Sequence, residues 1–255
     1  MMVIGIVGDG FVGGAVRNAF FCEKVIVDPI TSDSTFADLA GCDAVFVCVP
    51  TPMSEDGRVD SSIVRDVVSE ISPEKLIILK STVVPSDLQE IAEGRRLVYN
   101  PEFLTQRNAK EDFLKPDSLI FGGDIQDCQE AHTLYMIYSN VNCKVPYFYT
   151  DLALASLVKY TLNCHFAAKV TFFNEIYQLH KAMGRSDWND FTAILGADKR
   201  LGPTHLQVPG PDGEFGFGGA CFPKDTAALL HFADSLGVDL TVLRQAVEIN
   251  EVLRG

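Results

Sequence analysis

The first half of the chain alternates short apolar runs with segments of mixed polarity. The apolar runs are rich in β-branched residues and predict six strands. These are Val3 to Val7, Lys24 to Val27, Ala44 to Val49, Leu76 to Lys80, Arg96 to Tyr99 and Ser118 to Gly122. Continuous apolar runs are typical of strands buried on both faces, so the pattern predicts a parallel sheet covered by helices. A helix over Cys128 to Ser139 and a last strand over Cys143 to Tyr149 complete this α/β part.

The second half shows a helical pattern. From Asp151 to about Met183, apolar residues recur at three- and four-residue steps, which predicts one long helix that ends at Gly184. Shorter helices are predicted over Trp188 to Leu195, Asp225 to Leu236 and Leu240 to Leu253, with a Gly- and Pro-rich loop from Gly202 to Pro223. The chain therefore divides into an α/β domain over 1–150 and, over 151–255, a long central helix followed by a small all-helical domain.

A glycine-rich turn follows the first strand. Its sequence is Gly8-Asp9-Gly10-Phe11-Val12-Gly13, and Asp28 ends the next strand. Such a turn lets the backbone approach a pyrophosphate, the following helix offers amide donors, and the carboxylate binds ribose hydroxyls. This pattern predicts a Rossmann-like sheet that binds a dinucleotide through Gly8, Gly10, Phe11, Val12, Gly13 and Asp28. Because Asp28 repels a 2′-phosphate, NAD is favoured over NADP.

Charge and cysteine content narrow the class of protein. The chain has 21 basic and 34 acidic residues, a net charge of −13, which argues against binding to nucleic acid or to an anionic membrane. Its seven cysteines form no CxxC pair and no zinc spacing, so we expect a reducing compartment and no metal. The amino terminus lacks a basic leader, and the apolar stretch Leu152 to Phe173 contains Lys159 and Lys169. We therefore expect a cytoplasmic protein without a membrane span.

Four later segments carry a more specific signal. They are Val49-Pro50-Thr51-Pro52, Lys80-Ser81-Thr82-Val83, Asn100-Pro101-Glu102-Phe103-Leu104 and Gly216-Phe217-Gly218-Gly219-Ala220-Cys221-Phe222-Pro223-Lys224-Asp225. With Lys159 and Asn163 on the long helix, they resemble the UDP-glucose/GDP-mannose dehydrogenase family over nearly the whole chain. The resemblance implies oxidation of the primary alcohol of a nucleotide sugar to a carboxylate, most simply UDP-glucose to UDP-glucuronate for polysaccharide biosynthesis, with reduction of two NAD+.

The chemistry implied by this resemblance requires a nucleophile, and Cys221 is the expected one. A thiolate traps the aldehyde as a thiohemiacetal, and Lys224 or Lys159 could lower the thiol pKa; the alternative is an inert buried thiol. Asp225 resembles the family carboxylate that acts as a base with water, or it is a helix N-cap, or both. Lys159 and Asn163 lie four residues apart and can donate to an oxyanion. The alternative for Lys159 is an ammonium that reaches solvent, as we expect for Lys169 and Lys181.

The resemblance also assigns residues around cofactor and substrate. Thr82 resembles the family threonine that binds the reacting water and approaches the nicotinamide; the alternative is an ordinary strand threonine. Thr51 and Lys224 are expected at the cofactor. Glu102 resembles the acid near the sugar, or is a solvated loop carboxylate. The remaining substrate contacts are expected from Phe103, Leu104, Gly218 and Arg200. Arg200 matches an arginine that reaches across a dimer contact, although a plain surface arginine fits equally well, and the homodimer is expected to form through the long helix 151–183.

Two departures from the family pattern stand out. Thr105-Gln106-Arg107 replaces the usual Arg-Glu-Gly, so that Gln106 can form hydrogen bonds but cannot ionise, and Ser118 replaces a common arginine. The domain that holds the nucleotide in the family is expected to be lacking.

One alternative to the nucleotide-sugar dehydrogenase is a two-electron dehydrogenase of the β-hydroxyacid type, which also has a Lys-x-x-x-Asn pair but needs no thiol. The other is a truncated relic that binds NAD, or a subunit that needs a separate nucleotide-binding chain.

Overall fold

The computed structural model describes residues 1–54, 56–104 and 108–255. The chain forms two compact units. The first, which we call the sheet unit, comprises Met1–Pro52 and Val59–Lys159. The second, the helical unit, comprises Met53–Arg58 and Tyr160–Gly255.

The sheet unit is built on seven strands. Their bounds are β1 Val3–Val7, β2 Glu23–Val27, β3 Ala44–Val47, β4 Leu76–Leu79, β5 Leu97–Tyr99, β6 Leu119–Gly122 and β7 Tyr147–Thr150. Their order in the sheet is β2-β1-β3-β4-β5-β6-β7. The order reverses beside β1, as in doubly wound dinucleotide-binding sheets, so the predicted α/β class is confirmed.

One pair of strands departs from the predicted parallel sheet. The pairs from β2 to β5 are parallel, and so is β6 with β7, but β6 runs antiparallel to β5 through Tyr99 and Gly122. A parallel neighbour needs a connection that crosses back over the sheet. An antiparallel neighbour does not need that crossing, and β6 accordingly starts at the edge of the sheet where β5 ends.

Helices cover both faces of this sheet. They are α1 Phe11–Ala19, α2 Ser62–Glu70, α3 Pro85–Ala92, α4 Ala109–Leu114 and α5 Ile125–Tyr138, with a 3₁₀ helix over Phe36–Gly41. One core lies around Phe46, Phe121 and Tyr135, and the other around Val45, Ile77 and Leu79. Because neighbouring residues of one strand enter opposite cores, the strands are apolar throughout, as the sequence pattern requires.

A long helix, α6 Leu152–Ala182, runs from the sheet unit into the helical unit. Gly184, with a φ of +74°, follows it at the predicted stop. The helical unit continues with α7 Trp188–Gly196, α8 Phe222–Ser235 and α9 Thr241–Arg254. A small core of Phe173, Trp188, Leu206 and Val208 holds α6, α7 and the following loop together. Within the described part of the chain, no helix is long and apolar enough to cross a membrane.

Candidate functional site

A tight turn joins β1 to α1 at the carboxyl end of the sheet. Gly8 has a φ of +88°, and a Cβ there would lie 2.8 Å from the carbonyl oxygen of Cys48. A Cβ on Gly13 would lie 1.8 Å from the carbonyl oxygen of Gly8, so α1 packs directly on the turn. A Cβ on Gly10 would meet no described atom within 4 Å. The turn therefore combines tight backbone packing with an open face at the first turn of α1, where Phe11 and Val12 lie, which suits a pyrophosphate.

Asp28 follows β2 directly and is held by the backbone. It accepts hydrogen bonds from the N–H groups of Asp9 at 2.9 Å, Ile30 at 2.9 Å and Thr31 at 3.1 Å. These bonds, that from Asp9 foremost, hold the pKa of Asp28 below its ordinary value. The carboxylate is therefore ionised at neutral pH and stands beside the glycine turn. The residues present fit NAD: a pyrophosphate loop and a charged acceptor for ribose hydroxyls.

Thr51 and Thr82 lie at the same edge of the sheet. They follow β3 and β4, which are adjacent and parallel, so both loops leave the carboxyl end of the sheet. The Ser81 hydroxyl donates to the carbonyl oxygen of Val49 at 2.7 Å and ties the two loops together. Thr51 is buried and Thr82 is half-buried. The structure thus gathers the predicted cofactor residues of three loops, while the role of each residue stays a prediction.

A buried polar cluster lies beneath these loops. Lys80 Nζ donates to Asn100 Oδ1 at 2.9 Å, and the Tyr135 hydroxyl donates to the same oxygen at 2.7 Å. Asn100 Nδ2 donates in turn to the carbonyl oxygen of Ile120 at 2.7 Å. Burial lowers the pKa of Lys80 to about 8. Because Asn100 directly precedes Pro101 and Glu102, this cluster fixes the start of the predicted substrate loop.

Lys159 points into the sheet unit. Its side chain is buried, and its Nζ donates to the carbonyl oxygen of Glu102 at 2.5 Å. The same Nζ lies 5.1 Å from the ring centroid of Phe103. The alternative in which Lys159 reaches solvent is therefore wrong. Glu102 is half-buried, and its carboxylate accepts from the Leu104 N–H at 3.2 Å. The structure brings together Lys159, Glu102, Phe103 and Leu104.

The same alternative proves wrong for Lys169. The sequence predicts that Lys169 and Lys181 extend into solvent, but Lys169 is buried and its Nζ donates to the carbonyl oxygen of Leu201 at 2.8 Å. Lys181 is exposed, as predicted. The acceptor for Lys169 lies on a distant loop, which helical spacing alone does not reveal.

In the helical unit, Asp225 is the centre of a charged cluster. It is 1% exposed, and its two carboxylate oxygens accept from Asn163 Nδ2 at 2.5 Å and from Lys224 Nζ at 2.6 Å. The predicted N-cap role for Asp225 is wrong, because α8 begins three residues earlier, at Phe222. Pro223 occupies the first turn, where a missing N–H costs nothing. The buried carboxylate is instead balanced by one ammonium and one amide.

Cys221 occupies the N-cap position of α8. It is exposed, whereas the other six cysteines are buried or half-buried. Burial raises the pKa of each of those six thiols, to about 12 for Cys48, Cys128 and Cys164. The Asp225 N–H donates to the Cys221 carbonyl oxygen at 2.8 Å, so thiol and carboxylate lie one helical turn apart. The alternative of a buried thiol does not hold for Cys221.

Three polar side chains that sequence reasoning missed hold the loop before Cys221. The Gly216 N–H donates to Asn174 Oδ1 at 3.0 Å, and the Phe217 N–H donates to Asn250 Oδ1 at 2.6 Å. Arg254 Nε donates to the Phe217 carbonyl oxygen at 3.2 Å, and its guanidinium lies so close to Gly218 that a Cβ there would be 2.4 Å from Nη2. Asparagine and arginine on helices carry no sequence signal for this contact.

Several predicted residues stand apart from these groups. The Arg200 side chain is 91% exposed and pairs with Asp198 at 2.6 Å, as a surface arginine does. Gln106, with Thr105 and Arg107, lies outside the described residues. Among the residues that the structure describes, no group of histidine, cysteine, aspartate and glutamate could hold a metal ion.

The doubly wound sheet, its glycine turn and Asp28 define a dinucleotide-binding α/β protein, to which a helical unit adds an exposed thiol and a buried carboxylate. The chain belongs to the UDP-glucose/GDP-mannose dehydrogenase family. Residues 23–142 match the NAD binding domain of that family and residues 153–252 match its central domain. Both the predicted family and its NAD cofactor are thereby confirmed.

Comparison with known proteins agrees with this assignment. UDP-glucose 6-dehydrogenase of Rickettsia typhi is 34% identical over 230 residues, which are 86% of this chain and 51% of that protein. The structure of a UDP-glucose dehydrogenase from Pyrobaculum islandicum has a TM-score of 0.84 at 27% identity and covers 99% of this chain and 68% of its own. The chain spans about half the length of the curated relatives it matches.

A likeness in fold extends to another class of dehydrogenase. The structure of Mycobacterium tuberculosis 3-hydroxyisobutyrate dehydrogenase has a TM-score of 0.75 at 20% identity, and the match covers 99% of this chain and 93% of that one. At this identity only the fold is shared, so the chemistry must be argued from the residues of the site.

Proposed function

We propose that this protein oxidises the primary alcohol of a nucleotide sugar to a carboxylate, with UDP-glucose as the first substrate to test. The alcohol loses a proton and a hydride and becomes an aldehyde. The Cys221 thiolate adds to the aldehyde carbon, a second hydride leaves the resulting thiohemiacetal, and water releases the carboxylate from the thioester. NAD+, when bound, accepts the hydrides, one per molecule.

The observation that carries this proposal is that an exposed Cys221 and the buried Asp225 lie one turn apart at the start of α8. The unpaired N–H groups at a helix N-terminus stabilise a thiolate, which is the nucleophilic form of cysteine. A two-electron dehydrogenase has no use for this thiol. The pairing therefore favours the four-electron reaction over the β-hydroxyacid alternative.

Asp225 is proposed as the base that acts with water. Its two oxygens are held by Lys224 and Asn163, so the carboxylate keeps its position without a water shell. Asn163 is proposed to orient this carboxylate and to donate to an oxygen of the substrate.

Lys159 is proposed as a cationic donor to oxygen that becomes negative during the reaction. Its ammonium uses one donor on the Glu102 carbonyl oxygen, and an ammonium has three. Phe103, Leu104 and Gly218 are proposed to contact the substrate. Glu102 is proposed to lie near the sugar, and Thr82 near the reacting water.

We propose further that 1–150 form the domain that binds NAD+ and that 151–255 form the domain that carries the nucleophile. Thr51 is expected at the cofactor, together with the glycine turn and Asp28, and Lys224 at its nicotinamide end. The family assignment and the fit of the turn support the first half of this division.

The direct test is the stoichiometry of NADH. With UDP-glucose and excess NAD+, the 255-residue chain should form two NADH per sugar and one carboxylate, without release of aldehyde. NADH is followed by absorbance and the sugar acid by chromatography, over a panel of UDP- and GDP-sugars with simple hydroxyacids as controls. One NADH per molecule, or turnover of hydroxyacids alone, would reject the proposal in favour of a two-electron dehydrogenase. Binding of NAD+ without any turnover would favour the relic or the subunit that needs a separate chain.

A homodimer through α6 is also proposed. In the helical unit Phe172, Leu179 and Met183 are exposed, and steps of seven and four residues place them on one face of the helix or at its end. Apolar residues repeated on one exposed helix face are typical of a surface that meets a second copy.

Phe172→Asp should therefore shift the protein from dimer to monomer in sedimentation velocity. The charge would have to be buried against the partner's apolar face, which costs several kcal/mol. Val252→Asp is the control, because Val252 is also an exposed apolar residue, 82% exposed against 55% for Phe172, and it lies on α9. A wild-type chain that sediments as a monomer, or a Phe172→Asp variant that remains dimeric, would contradict this interface.

A further inference from the structure

Two carboxylates lie side by side where the adenosine ribose is expected. The Thr31 hydroxyl is 3.2 Å from Asp9 Oδ2 and 3.3 Å from Asp28 Oδ1. Asp28 is the carboxylate that the glycine-turn pattern predicts, whereas Asp9 is the variable residue between the first two glycines. Asp9 thus places a second negative charge beside Asp28, on the other side of the Thr31 hydroxyl.

The Asp9 carboxylate is tied to one cation. Its side chain is 2% exposed, and Oδ2 lies 3.2 Å from Arg17 Nη1 on the next turns of α1. Its other oxygen, Oδ1, is buried and accepts no hydrogen bond from any described residue. Arg17 itself is half exposed. The ion pair therefore neutralises a guanidinium that would otherwise be available to a ligand.

A cavity of about 470 Å³ opens beside this ion pair. It is lined, among others, by two cations and three hydroxyls, namely those of Arg17, Lys24, Thr31, Ser32 and Ser34. Guanidinium, ammonium and hydroxyl groups are the donors that bind a phosphate monoester. Two carboxylates, Asp9 and Asp38, also line the cavity, so the formal charges of its lining residues sum to zero. Lys24 Nζ donates to the Cys22 carbonyl oxygen at 2.8 Å. Of the two cations, Arg17 is the one that forms an ion pair with Asp9.

We propose that Asp9 is a second determinant of cofactor specificity, which keeps this cavity from accepting the 2′-phosphate of NADP. Asp9 acts in two ways: it holds Arg17 in an ion pair and it repels a phosphate that carries up to two negative charges. Removing its charge leaves the cavity with a net positive charge and Arg17 free to turn towards a phosphate. This inference rests on the dinucleotide site alone and requires no turnover and no nucleotide sugar.

The test measures binding of NAD+, NADP+ and 2′,5′-ADP to the purified chain by calorimetry. Asp9→Asn keeps the shape of the side chain and removes its charge, so affinity for NADP+ and 2′,5′-ADP should rise at least ~10-fold. Affinity for NAD+ should change by less than ~3-fold, since Asp28 still binds the ribose. Asp9→Ser is the second variant, in case the amide in the turn impairs folding, and thermal unfolding reports whether each variant is folded.

The double variant Asp9→Asn/Arg17→Gln separates the two parts of the inference. If Arg17 binds the 2′-phosphate, most of the gain in NADP+ affinity disappears in the double variant, while NAD+ affinity stays within ~3-fold of the wild type. Unchanged NADP+ affinity in the folded Asp9→Asn and Asp9→Ser variants would overturn the proposal. A gain that persists without Arg17 would overturn the role of the ion pair.

Discussion

Cys221→Ala should abolish formation of the sugar acid while leaving the first oxidation possible. Without the thiol no thiohemiacetal and no thioester can form, so the rate of carboxylate formation should fall by at least ~10³-fold. The first hydride transfer needs no nucleophile, and the variant should therefore give about one NADH for each aldehyde it forms. Trapping the aldehyde with a hydrazine and comparing it with the NADH formed measures this ratio.

The matched control is Cys143→Ala, which removes a half-buried thiol whose pKa burial raises. It should retain two NADH per sugar at nearly the wild-type rate. Iodoacetamide should react with Cys221 far faster than with the other six thiols, since the pKa of each of those is raised. A Cys221→Ala enzyme that still makes acid at the wild-type rate would eliminate the thioester route.

The second large effect is expected for Asp225→Asn. The substitution removes the proposed base and turns an acceptor oxygen into an amide that faces the donors of Asn163 or Lys224. Loss of general-base catalysis should lower kcat ~10²- to 10⁴-fold. Because the exposed thiol is untouched, Cys221 should still be alkylated by iodoacetamide, so loss of activity can be separated from loss of the nucleophile.

Asp234→Asn is the control for this experiment. Asp234 lies on the same helix, α8, but it is half exposed and pairs with Arg244 at 2.8 Å on the surface. Surface ion pairs contribute little, so kcat and the unfolding temperature should stay close to those of the wild type. Were Asp225→Asn to turn over as fast as Asp234→Asn, the base would have to be sought elsewhere, with Glu102 as the first candidate.

The sequence pattern predicts well the elements whose burial is local and complete. β1 has its predicted bounds because an apolar run meets a glycine turn, and α6 differs from its prediction by one residue at each end. The predicted last strand over Cys143 to Tyr149 instead begins at Tyr147, since Pro146 has no N–H for the sheet. The helix predicted from Cys128 begins at Ile125, because Asp124 caps it by accepting from the N–H groups of Gln126 and Asp127.

What the pattern could not predict depends on long-range partners. The antiparallel direction of β6 is invisible in its hydrophobicity, which is the same for either direction. Likewise, the sequence leaves Asp225 as a base, a helix cap or both, and only the structure shows that Asn163 donates to it across 62 positions of the chain. The glycine motif predicts Asp28 as the carboxylate beside the turn. It does not predict the ion pair between Asp9 and Arg17, because only the turns of α1 bring these two side chains together.

Asn100, which directly follows β5, cannot be redesigned alone. One amide group serves a lysine, a tyrosine and a main-chain oxygen, each from a different element of the sheet unit. An apolar residue at this position would leave a buried ammonium and a buried phenol without their shared acceptor, and either loss alone is costly. A saturation library at residue 100 should therefore retain very few sequences, and a new side chain would be tolerated only together with changes at Lys80 and Tyr135. Lys80, Asn100 and Tyr135 can therefore be changed only together.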